Sequence, residues 1–219
     1  MRQLIIGDNY DNDDNAVVKN KELLKNNNIF SINLLGSAGS GKTCVIEKII
    51  SNMKSYYNIA VIEGDLYTAK DAMRIENHNV DVIQINTKEK TYLDANMISH
   101  SLKHLDIQKL DFLIIENIGS LTLPKKYDLS EDIKIVVMST TGGNDKPLKY
   151  PMIFKSADVV ILNKMDIADF TDFNKNEFYR DLYAINKNIK VFELSCKNNT
   201  GVNDLCEYLK LKIGNKRAN

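Results

Sequence analysis

Cysteine is scarce in this chain: Cys44, Cys196 and Cys206 are widely separated and form no paired CxxC. This argues against a disulfide framework and against a zinc ribbon, and it fits a reducing compartment. An excess of charge of either sign is lacking too, because 29 basic residues balance 29 acidic ones. With no global field to attract them, neither nucleic acid nor an anionic membrane surface is expected as a partner, and function is expected in local sites. No stretch approaches the roughly 20 apolar residues that span a bilayer, and residues 1–28 lack a long apolar run after their basic residue. The expectation is a soluble, cytoplasmic protein. No internal repeat stands out, and the abundance of Asn and Lys reads as compositional bias more than low complexity.

What is present is one chain of 219 residues, 43% of them hydrophobic, enough for one core and short for two domains of about 150 each. Residues 1–28 read as an N-terminal polar and helical extension: an acidic stretch at 8–15, then a helix over 16–25 that the Asn run 26–28 breaks. Residues 29–219 form the main domain. Short apolar, β-branched runs predict strands at 30–35, 59–62, 80–85, 112–115, 133–138, 159–162 and 191–194. Helical patterns fall between most of them, at 43–54, 69–76, 93–105, 174–185 and 202–211. Continuously apolar strands imply burial on both faces, and the βαβ rhythm implies an α/β fold: a mostly parallel, doubly wound sheet with helices on both faces.

Gly36, Ser37, Ala38, Gly39, Ser40, Gly41, Lys42 and Thr43 match G-x-x-x-x-G-K-[ST], after a predicted strand and opening a predicted helix, which is the context that a P-loop NTPase requires. Backbone N–H groups of such a loop curl around a β-phosphate, and the helix N-terminus adds its positive dipole. Lys42 is placed to reach the β- and γ-phosphates, and the Thr43 hydroxyl to ligate Mg²⁺. The run Phe112-Leu113-Ile114-Ile115-Glu116-Asn117-Ile118-Gly119 resembles a Walker B strand. There Glu116 would hold Mg²⁺ through water, and the Gly119 N–H would approach the γ-phosphate. The run Glu63-Gly64-Asp65 ends another strand, which makes Asp65 a second candidate for the Mg²⁺ shell. Asp71 is either part of a switch that feels the γ-phosphate or an ordinary acid in a first helical turn.

Asn163-Lys164-Met165-Asp166 is an N-K-x-D at a strand end and resembles the guanine signature of GTPases. A carboxylate at Asp166 accepts from guanine N1–H and N2–H₂, whereas adenine would leave it unpaired, at a cost of roughly 1–3 kcal/mol or more. Asn163 would tie loops together and the Lys164 stem would cover the base. Ser195-Cys196-Lys197, after the next strand, resembles the loop whose backbone contacts guanine O6. GTP and Mg²⁺ are the expected cofactors. Slow hydrolysis is expected, since Ser120 follows Gly119 where many GTPases place a water-orienting Gln. Lys42 with Asp65 or Asp71 then remains as the catalytic candidate set.

The loops Val61-Ile62-Glu63-Gly64-Asp65, Glu116-Asn117-Ile118-Gly119-Ser120-Leu121 and Asp145-Lys146-Pro147-Leu148-Lys149-Tyr150-Pro151 resemble the HypB family of hydrogenase-maturation GTPases, over residues 29 to about 209. The resemblance implies a SIMIBI-type G domain and a GTP-dependent homodimer. It also implies a role in nickel insertion into a [NiFe] hydrogenase large-subunit precursor, together with a small zinc-containing chaperone. The alternatives left open are a nucleotide-dependent assembly scaffold with negligible turnover, and a GTPase chaperone of another metalloenzyme, a urease or a cobalamin-dependent mutase.

At the positions where the family carries Cys and His metal ligands, this chain has Thr91, Tyr92 and Leu123, and residues 1–28 contain no Cys or His. No nickel or zinc site is therefore expected in the G domain. His100 and His104 have the i, i+4 spacing of a chelating pair, but Ala95, Ile98, Leu102 and Leu105 are expected to form the core stripe. A solvated face is the stronger reading for the two histidines. The three cysteines read as core or incidental thiols.

Overall fold

A computed structural model describes residues 1–5, 15–66, 68–88, 90–124 and 127–218. Most of the acidic stretch at 8–15 lies outside the described residues. Among those described, eight strands form one sheet, in the order β1-β4-β3-β5-β2-β6-β7-β8, with every neighbouring pair parallel. The strands are β1 (Arg2–Ile5), β2 (Phe30–Leu35), β3 (Ile59–Asp65), β4 (Asp81–Asn86), β5 (Phe112–Glu116), β6 (Ile133–Ser139), β7 (Val159–Asn163) and β8 (Lys190–Glu193). The helices are α1 (Ala16–Asn26), α2 (Lys42–Met53), α3 (Lys70–Glu76), α4 (Ala95–Leu102), α5 (Lys146–Lys149), α6 (Pro151–Ser156), α7 (Lys175–Ile185) and α8 (Val202–Ala218). The expected α/β architecture is what the chain adopts.

Side chains alternate across a strand, so each central strand feeds two cores. Ile32 and Leu34 of β2, Val61 of β3, Ile114 of β5 and Ile135 of β6 point to the face covered by α2, α3 and α8, where Ile46, Ile49, Leu205 and Leu209 meet them. Ile62, Ile85 and Ile115 face α1 and α4, and Val136, Val160 and Leu162 face α6 and α7. β2 is buried at all six positions, as a strand with neighbours on both sides and helices above and below must be.

Several boundaries differ from the sequence reading. Strands β3, β5, β6 and β7 run on into Asp65, Glu116, Ser139 and Asn163, polar residues that an apolar count truncates. α4 is shorter than 93–105: Asp94 caps it, its side chain accepting from Met97 N at 3.0 Å, and Leu93 stays outside, buried in the core. The buried stripe of α4 is Met97, Ile98, Ser101 and Leu102, and Ala95 is only half-buried. The strand Arg2–Ile5 had no signal in the pattern. It pairs with β4, and α1 packs on α4, with Leu24 buried among Ile83, Met97 and Leu113 and the Asn20 amide donating to Ala95 O at 2.8 Å.

Leu24 is 2% exposed. If residues 16–26 share the cooperative unit of the sheet, Leu24→Ala should lower global stability by about 2–5 kcal/mol. Urea unfolding followed by far-UV circular dichroism should then still show one transition. A separate early transition of a few residues, with the main midpoint unmoved, would show α1 to be energetically independent.

Candidate functional site

The loop 36–41 leaves the C-terminal end of central strand β2 and enters α2, beside the ends of β5 and β6, in the crevice where open α/β sheets bind ligands. Lys42 is buried, and its ammonium donates to Gly36 O at 3.2 Å, which holds the cation inside the curl of the loop. Ser40 N donates to Ser37 O at 3.2 Å. Gly41 has φ +94°, and a Cβ there would lie 2.3 Å from Asn163 Nδ2, so glycine is required both for the backbone turn and for the space. Gly119 also lies close to the loop, though less tightly: its carbonyl accepts from Ala38 N at 3.3 Å, and a Cβ would lie 3.0 Å from that nitrogen. The loop after β5 is thereby held against the phosphate cradle.

At the open end of α2 the Thr43 hydroxyl donates to Glu116 Oε1 at 2.8 Å. Glu116 is buried, and its carboxyl is raised to about 7 by burial, with Lys42 and the Thr43 hydrogen bond opposing the rise. Glu63 lies opposite Glu116 in the β3–β5 register. Burial first, then the charges of Glu116, Asp65 and Asp71, push the Glu63 carboxyl up to about 9. Both residues keep one buried oxygen, Oε2, without a hydrogen-bond partner. Two buried acids raised above the ordinary carboxylate range, each with an oxygen lacking a hydrogen-bond partner, beside the Thr43 hydroxyl, form an oxygen donor set that fits a hard divalent cation. Thr43 and Glu116 are the residues that could hold such a cation. Asp65 sits half-buried at the end of β3, with its Oδ1 accepting from Thr68 N at 2.8 Å. Asp71 lies in the first turn of α3 and pairs with Arg74 at 3.0 Å, and Arg74 in turn binds Glu47 at 2.7 Å.

The base end is built from β7 and the loop after β8. The Asn163 amide donates to Ser40 O at 3.2 Å, and its oxygen accepts from Cys196 N at 3.4 Å, joining the P-loop to that loop. Asp166 Oδ1 accepts from Ser195 Oγ at 2.7 Å, and Met165 N bonds Leu194 O at 3.0 Å. Lys164 takes the left-handed conformation at φ +63°, with its carbonyl accepting from Thr140 Oγ1 at 3.0 Å. Lys197 is exposed on the same loop. Cys44, directly after Thr43, and Cys196 are brought into contact although they are far apart in sequence. The neighbouring Cys196 lowers the Cys44 thiol to about 7, while Cys44 and then burial raise that of Cys196. Cys206 is buried separately in α8.

Sequence reasoning missed three contributors. Lys146, from the D-K-P-L-K-Y-P run, donates to Ser37 Oγ at 3.0 Å and so brings a second ammonium to the cradle. Asn117 accepts from Leu93 N at 3.1 Å and donates to Asn33 Oδ1 at 3.3 Å and to the Tyr127 hydroxyl, fastening the loop before α4 to the end of β5. Glu63 is the third, and its one sequence signal was an acid inside an apolar strand. Thr91 is exposed, Tyr92 packs edge-on against Tyr127 at 6.0 Å, and Leu123 lies against the core cluster that also borders Tyr127. His100 and His104 stack edge to face at 5.2 Å on α4, His100 half-buried and His104 exposed. No group of three or more His, Cys, Asp or Glu arranged to hold a metal occurs among the described residues.

Residues 30–193 match the sequence family described as CobW/HypB/UreG, nucleotide-binding domain. The probable hydrogenase maturation factor HypB of Methanocaldococcus jannaschii is 38% identical over 195 residues, covering 89% of this chain and 88% of that protein. Among solved structures, HypB from Archaeoglobus fulgidus superposes with a TM-score of 0.84 at 31% identity, covering 90% of this chain and 97% of the other. HypB from Helicobacter pylori in complex with nickel gives 0.86 at 33%, covering 92% and 95%.

The thiol pair makes a pH-dependent prediction. Cys44 is held below the ordinary thiol value, so its reactive thiolate fraction rises as pH climbs through a lower range than for a free cysteine, near ~8.5. Iodoacetamide labelling followed by peptide mass spectrometry across about pH 6 to 9 should modify Cys44 ahead of Cys206, with an apparent pKa below ~8.5. A Cys44 profile centred at or above that value would refute the assigned contact.

Proposed function

The chain belongs to the CobW/HypB/UreG nucleotide-binding family and, within it, to the HypB hydrogenase maturation factors, and on that premise we propose that it is a slow GTP-hydrolysing switch for maturation of a nickel enzyme. The observation that carries this is the Asp166 carboxylate, oriented by Ser195 at 2.7 Å on a loop that Asn163 ties to the P-loop. A carboxylate fixed there matches the two adjacent N–H donors of guanine and has no counterpart on adenine. Backbone N–H groups of residues 36–41 and the Lys42 ammonium hold the phosphates. Lys42 also offsets the charge that develops on the β- and γ-oxygens during transfer. Mg²⁺, held by Thr43 and Glu116 with Asp65 nearby, supplies charge neutralisation when bound. Asp65 and Asp71 are the acids available to orient the attacking water, and Ser120 is not a strong substitute for an amide in that role.

The HypB likeness supports the partners: a second copy of the chain in the GTP state, a small zinc-containing chaperone and a hydrogenase large-subunit precursor. Among the described residues no helix is long and apolar enough to cross a membrane; the HypB likeness is what supports a cytoplasmic site of action. Nickel belongs to the solved relative from Helicobacter pylori. Here the hydroxyl of Thr91, the phenol of Tyr92 and the aliphatic Leu123 stand where the family carries its ligands. Tight sites need about four soft or borderline donors, which these side chains do not provide near neutral pH. The proposed switch acts without carrying metal at that place.

Calorimetry should give GTP tight binding and ATP weak binding, and Asp166→Asn should move the preference toward xanthine nucleotides, whose C2 carbonyl accepts from the new amide. Phosphate release should be detectable at an intrinsic scale of ~10⁻⁴ to 10⁻³ s⁻¹ and should be abolished by Lys42→Ala. Equal affinity for ATP would overturn the base site. GTP binding with no release would favour a scaffold.

Equilibrium dialysis of tag-free protein against Ni²⁺ and Zn²⁺, with and without a GTP analogue, should recover no stoichiometric metal. Thr91→Cys, Tyr92→His and Leu123→Cys combined should create binding in the GTP state. Stoichiometric uptake by the unmodified chain would count against the metal-free reading and direct attention to His100 and His104.

A further inference from the structure

The acids at the phosphate end are unequally provided for. Side chains alternate along β3, so Glu63 shares with Ile59 and Val61 the face that packs on α2, and on β5 Glu116 shares that face with Phe112 and Ile114. The register sets the two carboxyls side by side at the mouth of the P-loop helix. Glu63 is 2% exposed and Glu116 4% exposed. Thr43 satisfies one Glu116 oxygen, and the Oε2 atoms of both residues are buried with no donor. The charged groups that act on Glu63 are Glu116, Asp65, Asp71 and Lys42, and the Lys42 ammonium is already engaged by Gly36 O. Asp71 is paired with Arg74, but the facing Glu63 and Glu116 have no hydrogen-bond donor at their Oε2 atoms, and the cation acting on Glu63 is the already engaged Lys42, so donors and positive charge are short at the same spot. Buried polar atoms without partners are rare in native proteins and point to a missing ion or water. Hydrated Mg²⁺ supplies both, because it retains several waters whose hydrogens need acceptors.

We infer that Glu63 is a positioning residue of the divalent-cation site, its free Oε2 accepting, beside Glu116 Oε2, from the water shell of the ion that Thr43 ligates. The inference rests on the nucleotide reading above and adds to it a residue outside the P-loop, Walker B and base motifs. The competing role is a neutral structural carboxyl that only fills space, and an amide would replace that with little consequence.

The two roles separate in a titration of free Mg²⁺ against the full chain holding a fluorescent, non-hydrolysable GTP analogue, with a parallel nucleotide titration in EDTA. Removing a group that orients a metal's bound shell typically costs 10-fold or more in metal affinity. Glu63→Gln should therefore raise the half-saturating Mg²⁺ concentration about 10-fold while leaving nucleotide affinity in EDTA within about 2-fold of the parent. Glu63→Asp, which keeps a shortened carboxylate, should fall between the two. It decides the question by the same criterion if the amide variant does not fold. An unchanged Mg²⁺ requirement in the folded variant would overturn the inference. Failure of the unmodified chain to bind the analogue would instead remove the nucleotide reading, and the inference with it.

Discussion

The Asn163 side chain holds the two halves of the site in one frame. Its amide donates to Ser40 in the phosphate loop, and its oxygen accepts from Cys196 in the loop after β8. It reaches Ser40 only because Gly41 carries no Cβ. One buried amide with both ends satisfied thereby fixes the distance between the phosphate cradle and Asp166. Nucleotide recognition needs that distance constant, because phosphate and base contacts favour the same ligand only when both can be made at once. The neighbouring thiol contact between Cys44 and Cys196 spans the same joint.

The same logic of fastening operates on the metal side. Asn117 is the counterpart of Asn163: it follows β5 and bonds the segment before α4, the side chain of Asn33 on β2 and the Tyr127 hydroxyl. The Gly119 carbonyl then meets Ala38. The loop that would sense a γ-phosphate is therefore in direct backbone contact with the loop that binds it. From that contact the chain leads on to Leu123, which borders the same core cluster as Tyr127, and Tyr127 in turn packs against Tyr92.

Fold class, the P-loop, the acid-tipped strand and the N-K-x-D were all legible, because each combines a periodic apolar strand with a local motif whose chemistry does not depend on distant residues. Five of the predicted strands begin at the residue where the structure starts them, β2, β3, β5, β6 and β7. Their ends were missed where the chain runs on into polar residues, since apolarity tracks the buried span and the functional residues stand just past it. The strand Arg2–Ile5 was missed for a different reason: an edge strand of four residues gains its stability from pairing with β4, and nothing local announces that.

What the amino-acid sequence determined by itself is which chemical groups the proposed phosphate and base sites carry, since motif order along a βαβ chain fixes which strand ends carry them. What the tertiary structure alone decided is which distant groups join them. Lys146 on Ser37, Cys196 on Cys44 and Glu63 beside Glu116 are each separated by 50 or more positions in the chain. Their proximity follows from strand order and register, and those are set by packing two cores onto one sheet, a constraint that no window of sequence contains.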